Sequence, residues 1–233
     1  MKFSVPLEVS RVTTTLRDGG YEAYLVGGCV RDLLLGRAPK DWDVTTNANP
    51  EQIQALFPES FYENDFGTVG VKTGSEDEKL AIVEVTPYRT ETGYSDKRRP
   101  DAVSFGDNLE EDLARRDFTI NAIALEDSKG LLVDPYKGQK DIESRVLRTV
   151  GLPRDRFEED ALRLMRAVRL VAELEFALDT DTAAAIKDTA SNLKHVSRER
   201  VKDEFVRILN SKQPMMALVL SQQLGLLEYI APD

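Results

Sequence analysis

The sequence is poor in the residues that most often carry chemistry. Its 233 residues include one cysteine, one histidine and one tryptophan. A single cysteine, Cys29, excludes an intramolecular disulfide and fits a reducing compartment. A single histidine, His195, leaves a His-based zinc site or a Ser-His-Asp triad without support. It reads as a helix-end or surface residue. No segment approaches the roughly 18 apolar residues that cross a membrane, and the N-terminal stretch has no apolar run suited to a signal peptide. Basic residues are outnumbered too: 31 Lys and Arg stand against 41 Asp and Glu, for a net charge of -10. The molecule as a whole is therefore no generic polyanion binder, and a nucleic-acid partner requires a local basic patch. The expectation is a cytoplasmic protein with no membrane partner.

What is present suits a folded chain. The hydrophobic fraction of 41% is that of a globular protein. The spacing predicts a helix over Leu7–Asp18, ended by Gly19 and Gly20, and a buried strand over Tyr24–Val26. A helix is expected from Val30 to Leu35, closed by Gly36. A strand starts at Asp43, and a helix with proline in its first turn runs from Asn49 to Phe57. Thr68–Lys72 and Leu80–Val85 read as a hairpin. A long polar, turn-rich stretch follows, of the kind that often carries function. "FTINAIALE" reads as helix or strand and "GLLVDP" as a strand. After Gly151 the pattern turns helical: Leu162, Met165, Val168 and Ala172 follow a helical period. Further helices are expected to the end of the sequence, with Ser197 in a cap region. Their apolar faces suggest the front of a larger protein.

The chemistry begins at "YLVGGCVRDLLLGRAPKDWDVTT", Tyr24 to Thr46. In a strand, residues two apart share a face, so Asp41 and Asp43 would stand side by side with Trp42 turned into packing. Two such carboxylates repel unless a cation lies between them, and magnesium takes hard oxygen ligands. Alone, the pair reads first as exposed acids at a strand start. Gly27 and Gly28 allow a tight turn and close approach to a ligand. The following helix N-terminus suits phosphate, and Arg31 would add a forked donor. Neither a Walker loop nor a GxGxxG fingerprint is present.

Taken together, "LVGGCVRDLLLGRAPKDWDV" resembles the class II nucleotidyltransferases of the polymerase β superfamily. These are the tRNA CCA-adding enzymes and the bacterial poly(A) polymerases. "RRDFTINAIAL" (Arg115–Leu125), "VDPYKGQKDI" and "EEDALRLMRAVRL" (Glu158–Leu170) match further signatures in the same order. The resemblance implies an α+β fold: a polymerase-β-like head with a mixed sheet and helices, then an all-helical neck and the start of a helical body. The implied division is 1–150, 151–200 and 201–233. The resemblance also implies that Gly28 and Arg31 hold a triphosphate and that Asp41 and Asp43 bind catalytic Mg2+. Arg116 would contact the incoming nucleotide. Asp160, Arg163, Arg166 and Arg169 would form or support the nucleotide-selecting site. Glu84 is the candidate third carboxylate, with an ordinary surface or core-edge glutamate as the alternative.

Asp160 and Arg163 are three residues apart and would be neighbours on a helix. Asp only accepts when ionised and Arg only donates. Cytosine and adenine each present an amino donor beside a ring-nitrogen acceptor, whereas uracil and guanine present the opposite order. A fixed Asp/Arg pair would therefore select CTP and ATP; a plain helical salt bridge is the alternative. "TETGYSDKRRPDAV" matches the family's flexible loop, with Lys97, Arg98 and Arg99 basic and Tyr94 able to stack. Its full length leans towards addition of the terminal A, and "FGTVGVK" resembles the CCA-adding subgroup. The implied activity is template-independent addition of C, C and A to the tRNA 3′ end from CTP and ATP. Alternatives are an A-adding, CC-adding or poly(A)-adding enzyme and, in another class, a non-catalytic RNA- or nucleotide-binding module.

Overall fold

Leu7–Asp18 (α1) buries Val9, Val12, Thr13 and Leu16, the residues of one helical stripe. The strand Tyr24–Val26 (β1) leads directly into Gly28–Leu34 (α2). The helix α2 thus begins two residues earlier than its apolar pattern suggests, because the glycines themselves form its start. Gly36, at φ +67, ends it. The N–H of Gly36 returns to Leu33 and that of Arg37 to Asp32, which satisfies the last carbonyls. Asp43–Thr46 (β2) and Pro50–Leu56 (α3) follow. A reciprocal cap starts α3: Asn49 accepts from the Gln52 N–H, and the Gln52 side chain accepts from the Asn49 N–H. Next come Ser60–Tyr62 (β3), Val69–Lys72 (β4) and Ile82–Pro87 (β5). Arg89–Thr92 (β6), Ala102–Phe105 (β7) and the helix Leu109–Ala114 (α4) occupy the stretch expected to be a polar loop. Ala124–Glu126 (β8), Leu131–Val133 (β9) and Gly138–Ser144 (α5) complete this part.

These bounds come from a computed structural model, which describes residues 3–62, 67–92, 102–106 and 108–231. Seven strands make a mixed sheet in the order β3-β4-β5-β2-β1-β8-β9, and β6 and β7 make a separate two-stranded sheet. Only β2 and β5 run parallel within the large sheet. Their register sets Asp43 beside Glu84 and Thr45 beside Thr86. The opposite face of the same two strands carries Val44, Val83 and Val85, all fully buried. Alternation along β2 thus separates a core face from a face that bears polar groups. One compact unit comprises Met1–Thr90, Val103–Arg116 and Ile120–Gln139.

A second unit contains Asp117–Thr119 and Lys140–Asp233. Val146–Leu147 (β10) pairs in parallel with Ala177–Leu178 (β11). Pro153–Glu159 (α6) and Leu162–Leu174 (α7) are separate helices, where the period predicted one. Asp160 is extended and its carboxylate accepts from the Leu162 N–H, so the acid breaks the run and starts α7. Thr180–Thr189 (α8), Arg198–Leu209 (α9), Pro214–Gln223 (α10) and Leu227–Ile230 (α11) follow. Ser197 stands at the start of α9 without a side-chain cap bond. The expected apolar faces are there: Val206 and Leu209 of α9 and Met215, Met216 and Val219 of α10 are exposed. Among the described residues, no helix is long and apolar enough to cross a membrane.

Candidate active site

The turn between β1 and α2 is built at Gly27. Its φ of +75 favours glycine. Space imposes the same choice, because a Cβ here would lie 3.2 Å from Asp43 Oδ2 and 3.3 Å from Arg116 Nη1. The bare backbone thus lets a carboxylate of β2 and the guanidinium that follows α4 approach one point. Gly28 has no such demand; a Cβ there would meet the Arg31 guanidinium at 3.5 Å, an ordinary contact. Arg31 is the fourth residue of α2. It donates to Asp32 Oδ1 from Nε and Nη2 at 3.0 and 2.9 Å and to Asn121 Oδ1 from Nη1 at 2.9 Å. The side chain is therefore held in place beside Gly28.

The strand β2 begins at Asp43, as expected, and Asp41 lies in the bend that enters it rather than in the strand itself. Trp42 is buried, as the alternation required. Asp41 is exposed and Asp43 half-buried. Burial pushes the Asp43 carboxyl above the usual range; the Arg116 guanidinium opposes this and the Asp41 charge adds to it. Glu84, exposed on β5, is the register partner of Asp43, and the two share a face of the sheet. Among the described residues, no group of three or more His, Cys, Asp or Glu is arranged to hold a metal ion. Arg116 donates from Nη2 to Asp112 Oδ2 at 3.2 Å, and its Nε is buried with no hydrogen-bond partner among the described residues. Cys29 is a buried thiol that donates to the Val26 carbonyl, and burial pushes it up to about 12.

The second group of expected residues lies on α7 and just before it. Arg163, Arg166 and Arg169 follow at threes along one side of α7, each half-buried. Asp160 is not on that helix, and its carboxylate is taken by Arg200 of α9, at 2.9 Å from Oδ2. Arg163 donates to Glu159 Oε2 at 2.6 Å and to the Arg156 carbonyl at 3.2 Å. The structure therefore corrects the expected helical neighbours: Asp160 and Arg163 are each fixed by a different partner. Arg166 bonds Asp117 Oδ2 through Nε and Nη2 at 2.9 and 2.6 Å. Arg169 bridges Glu204 at 2.6 Å and Glu173 at 3.0 Å. Asp112, Asp117, Asn121, Arg200 and Glu204 were not foreseen as partners. Asp112 precedes Arg116 by one helical turn, a spacing visible in the sequence. Tyr94, Lys97, Arg98 and Arg99 lie outside the described residues.

A family model described as the poly A polymerase head domain matches residues 23–148, more than half of the chain. The chain belongs to this family. The expected resemblance to class II tRNA nucleotidyltransferases and poly(A) polymerases is thereby borne out, and with it a polymerase-β-like head followed by helices. A second model, described as the probable RNA and SrmB-binding site of polymerase A, matches residues 175–233. The chain is 50% identical over 198 residues to the CCA-adding enzyme of Lactobacillus helveticus, which covers 84% of this chain and 48% of that one. The crystal structure of the Bacillus stearothermophilus CCA-adding enzyme in complex with CTP superposes with a TM-score of 0.87 at 41% identity, over 98% of this chain and 56% of that chain. A tRNA nucleotidyltransferase complexed with a primer tRNA and an incoming ATP analog gives 0.78 at 31% identity, over 95% and 62%. The chain spans about half the length of the curated relatives it matches.

Proposed function

We propose that this chain carries the catalytic part of a template-independent tRNA nucleotidyltransferase. It would add C, C and A to the tRNA 3′ end from CTP and ATP. The observation that carries the reading is the meeting of Asp43 and Arg116 at Gly27. A carboxylate for a metal ion and a guanidinium for phosphate there share one point of bare backbone. Likeness to the CTP-bound structure supports the choice of nucleotide.

The donor set fits magnesium. It is two carboxylates with hard oxygens, and magnesium is commonly held by one or two carboxylates plus substrate phosphates. The Asp43 charge, disfavoured by burial and by Asp41, is one that a divalent cation would stabilise. Asp41 and Asp43 would hold the ions, and Glu84 would add a negative charge on the same face of the sheet as Asp43. When bound, such ions help the tRNA 3′-hydroxyl attack the α-phosphate and steady the departing pyrophosphate. Gly28 and Arg31 would hold the triphosphate, Arg31 kept in place by Asn121 and Asp32. Arg116 would contact the nucleotide through its guanidinium, whose Nη1 lies at the Gly27 turn beside Asp43. Asp160 and Arg163 would read the base edge, supported by Arg166 and Arg169. We keep residues 1–150 as head, 151–200 as neck and 201–233 as the start of a body. The buried single thiol is in keeping with a cytoplasmic setting.

The test is extension of a tRNA lacking its terminal CCA, with each nucleotide alone and in combination. Addition of C from CTP and of A after two C residues supports the reading. Addition of A alone, of C alone or of long A tails points to the related activities. CTP binding without any extension points to a binding module.

A further inference from the structure

We infer that Asp112 is a positioning residue that anchors Arg116 beside Asp43 while keeping the two from pairing. This rests on the nucleotidyl-transfer reading above. Asp112 is wholly buried in α4. Its Oδ1 accepts from Nε and Nη2 of Arg115 at 2.9 and 2.6 Å. Its Oδ2 accepts from Arg116 Nη2 at 3.2 Å and lies 3.2 Å from the Thr45 hydroxyl. Thr45 is two residues beyond Asp43 in β2, so the two share a face of the strand. One buried carboxylate thus joins the strand that carries Asp43 to the arginine that faces it.

The arrangement has a consequence for charge. Arg116 Nη1 and Asp43 Oδ2 both crowd the place where a Gly27 Cβ would stand, yet the ion pair of Arg116 is with Asp112. An arginine released from Asp112 has Asp43 as its next carboxylate. Pairing there would neutralise a group needed for a divalent cation and would turn the guanidinium away from phosphate. Asp112 therefore keeps the anionic and cationic parts of the site adjacent and separate. Burial alone would raise its carboxyl, but the Arg116 and Arg115 guanidinium groups hold it below the usual range, so it remains an anion.

Calorimetric titration of CTP with magnesium into the full chain tests this on wild type, D112N, R116M and the double variant. The expected loss of CTP affinity in D112N is about tenfold at unchanged stoichiometry, and the same change adds less than about twofold in the R116M background. Magnesium alone, titrated without nucleotide, should bind D112N more weakly than wild type and regain affinity in the double variant. T45V keeps every charge and should show a smaller version of the same pattern, which covers the case of a D112N chain that does not fold. Equal losses in both backgrounds, for D112N or for T45V, overturn the inference and leave the nucleotide reading intact. A wild-type chain that gives no CTP binding overturns the nucleotide reading, and this inference with it.

Discussion

Asp43 and Glu84 are register partners on the adjacent parallel strands β2 and β5, and their side chains leave the sheet on one face. Asp41 sits in the bend before β2 and adds a like charge close to Asp43. Asp43→Asn should lower tRNA extension by roughly a hundredfold or more, as expected for a group that acts on transition-state charge. Glu84→Gln should lower it less. A carboxyl raised in the folded state adds stability at low pH and loses it as pH rises through its folded value. At neutral pH and without divalent ions, D43N should therefore melt at or slightly above the wild-type temperature. Extension at the wild-type rate would remove Asp43 from the metal site.

Gly27 should be the least replaceable residue of the turn. Alanine there must adopt φ +75 and set its Cβ 3.2 Å from Asp43 Oδ2 and 3.3 Å from Arg116 Nη1. With ψ near -138, outside the left-handed helical well, the backbone strain should cost about 1–3 kcal/mol of stability. Displacing both side chains should weaken CTP binding far more than that strain implies. Gly28→Ala, with ordinary φ and 3.5 Å of room, is the control and should bind CTP better than G27A. Equal binding by the two variants would contradict the close-approach account.

Asp112 predicts a dependence on pH. Burial would raise its carboxyl, and the guanidinium groups of Arg116 and Arg115 outweigh this and lower it. A depressed carboxyl stabilises the fold above the unfolded value, near pH 4, and this contribution fades as pH falls through the lower folded value. D112N leaves buried guanidinium groups short of a counter-ion and should cost about 3 kcal/mol at pH 7. Thermal midpoints of wild type and D112N should stay well apart down to about pH 4 and converge only below it. A gap that closes by pH 6 would show that the ion pairs are not its source.

The parts of this fold that could be read in advance are those where one physical signal dominates. Leu7–Asp18 and Tyr24–Val26 have the predicted bounds, since an amphipathic stripe ends on Gly-Gly and a short apolar run meets a glycine turn. The helix α4 is hard to read from sequence because it has only six residues, three of them charged, and its buried positions are Asp112 and Leu113. Six residues are too few to show an apolar period; Asn108 caps the helix locally, Asp112 pairs with Arg115 and Arg116 just beyond it, and its bond to Thr45 ties it to β2. The break at Asp160 was hidden for the opposite reason. Apolar residues continue through it, with Phe157, Ala161 and Leu164 all fully buried, while a side-chain bond to the backbone interrupts the helix. The chemical identity of the candidate site residues was legible in the motifs. Their partners were not, because Asn121, Arg200 and Glu204 are brought in by the fold from 35 to 90 residues away.

Cys29 reports on the same turn. Its thiol is buried, bonded to the Val26 carbonyl and pushed up to about 12. Since the thiolate is the reactive form, the folded chain should resist a maleimide or disulfide reagent at pH 8, and the denatured chain should react at once. Saturating CTP and magnesium should slow the residual labelling of the folded chain further, because α2 and its turn would open less often. Rapid labelling of the native chain would mean that the Gly27 turn is open in solution.

The base-reading assignment makes the sharpest demand on the helical unit. Asp160 accepts from the Leu162 N–H through Oδ1 and from Arg200 through Oδ2, and Arg163 is held by Glu159 and the Arg156 carbonyl. Both side chains are thus fixed in direction before any base arrives, which is what discrimination by hydrogen bonds needs. Asp160→Ala removes the acceptor for the amino group of cytosine or adenine. It should lower the preference for CTP and ATP over UTP and GTP by about tenfold or more. Arg200→Ala keeps the acceptor and frees its orientation, so it should lower the same preference by only about threefold. Arg169, paired with Glu204 and Glu173, should act through the stability of the helices, so Arg169→Ala should lower the melting temperature more than it alters the preference. Competition binding with the four nucleotides, run beside thermal melts, separates these effects. If D160A keeps the wild-type ratio, Asp160 is a helix-breaking and ion-pairing residue and the base is read elsewhere.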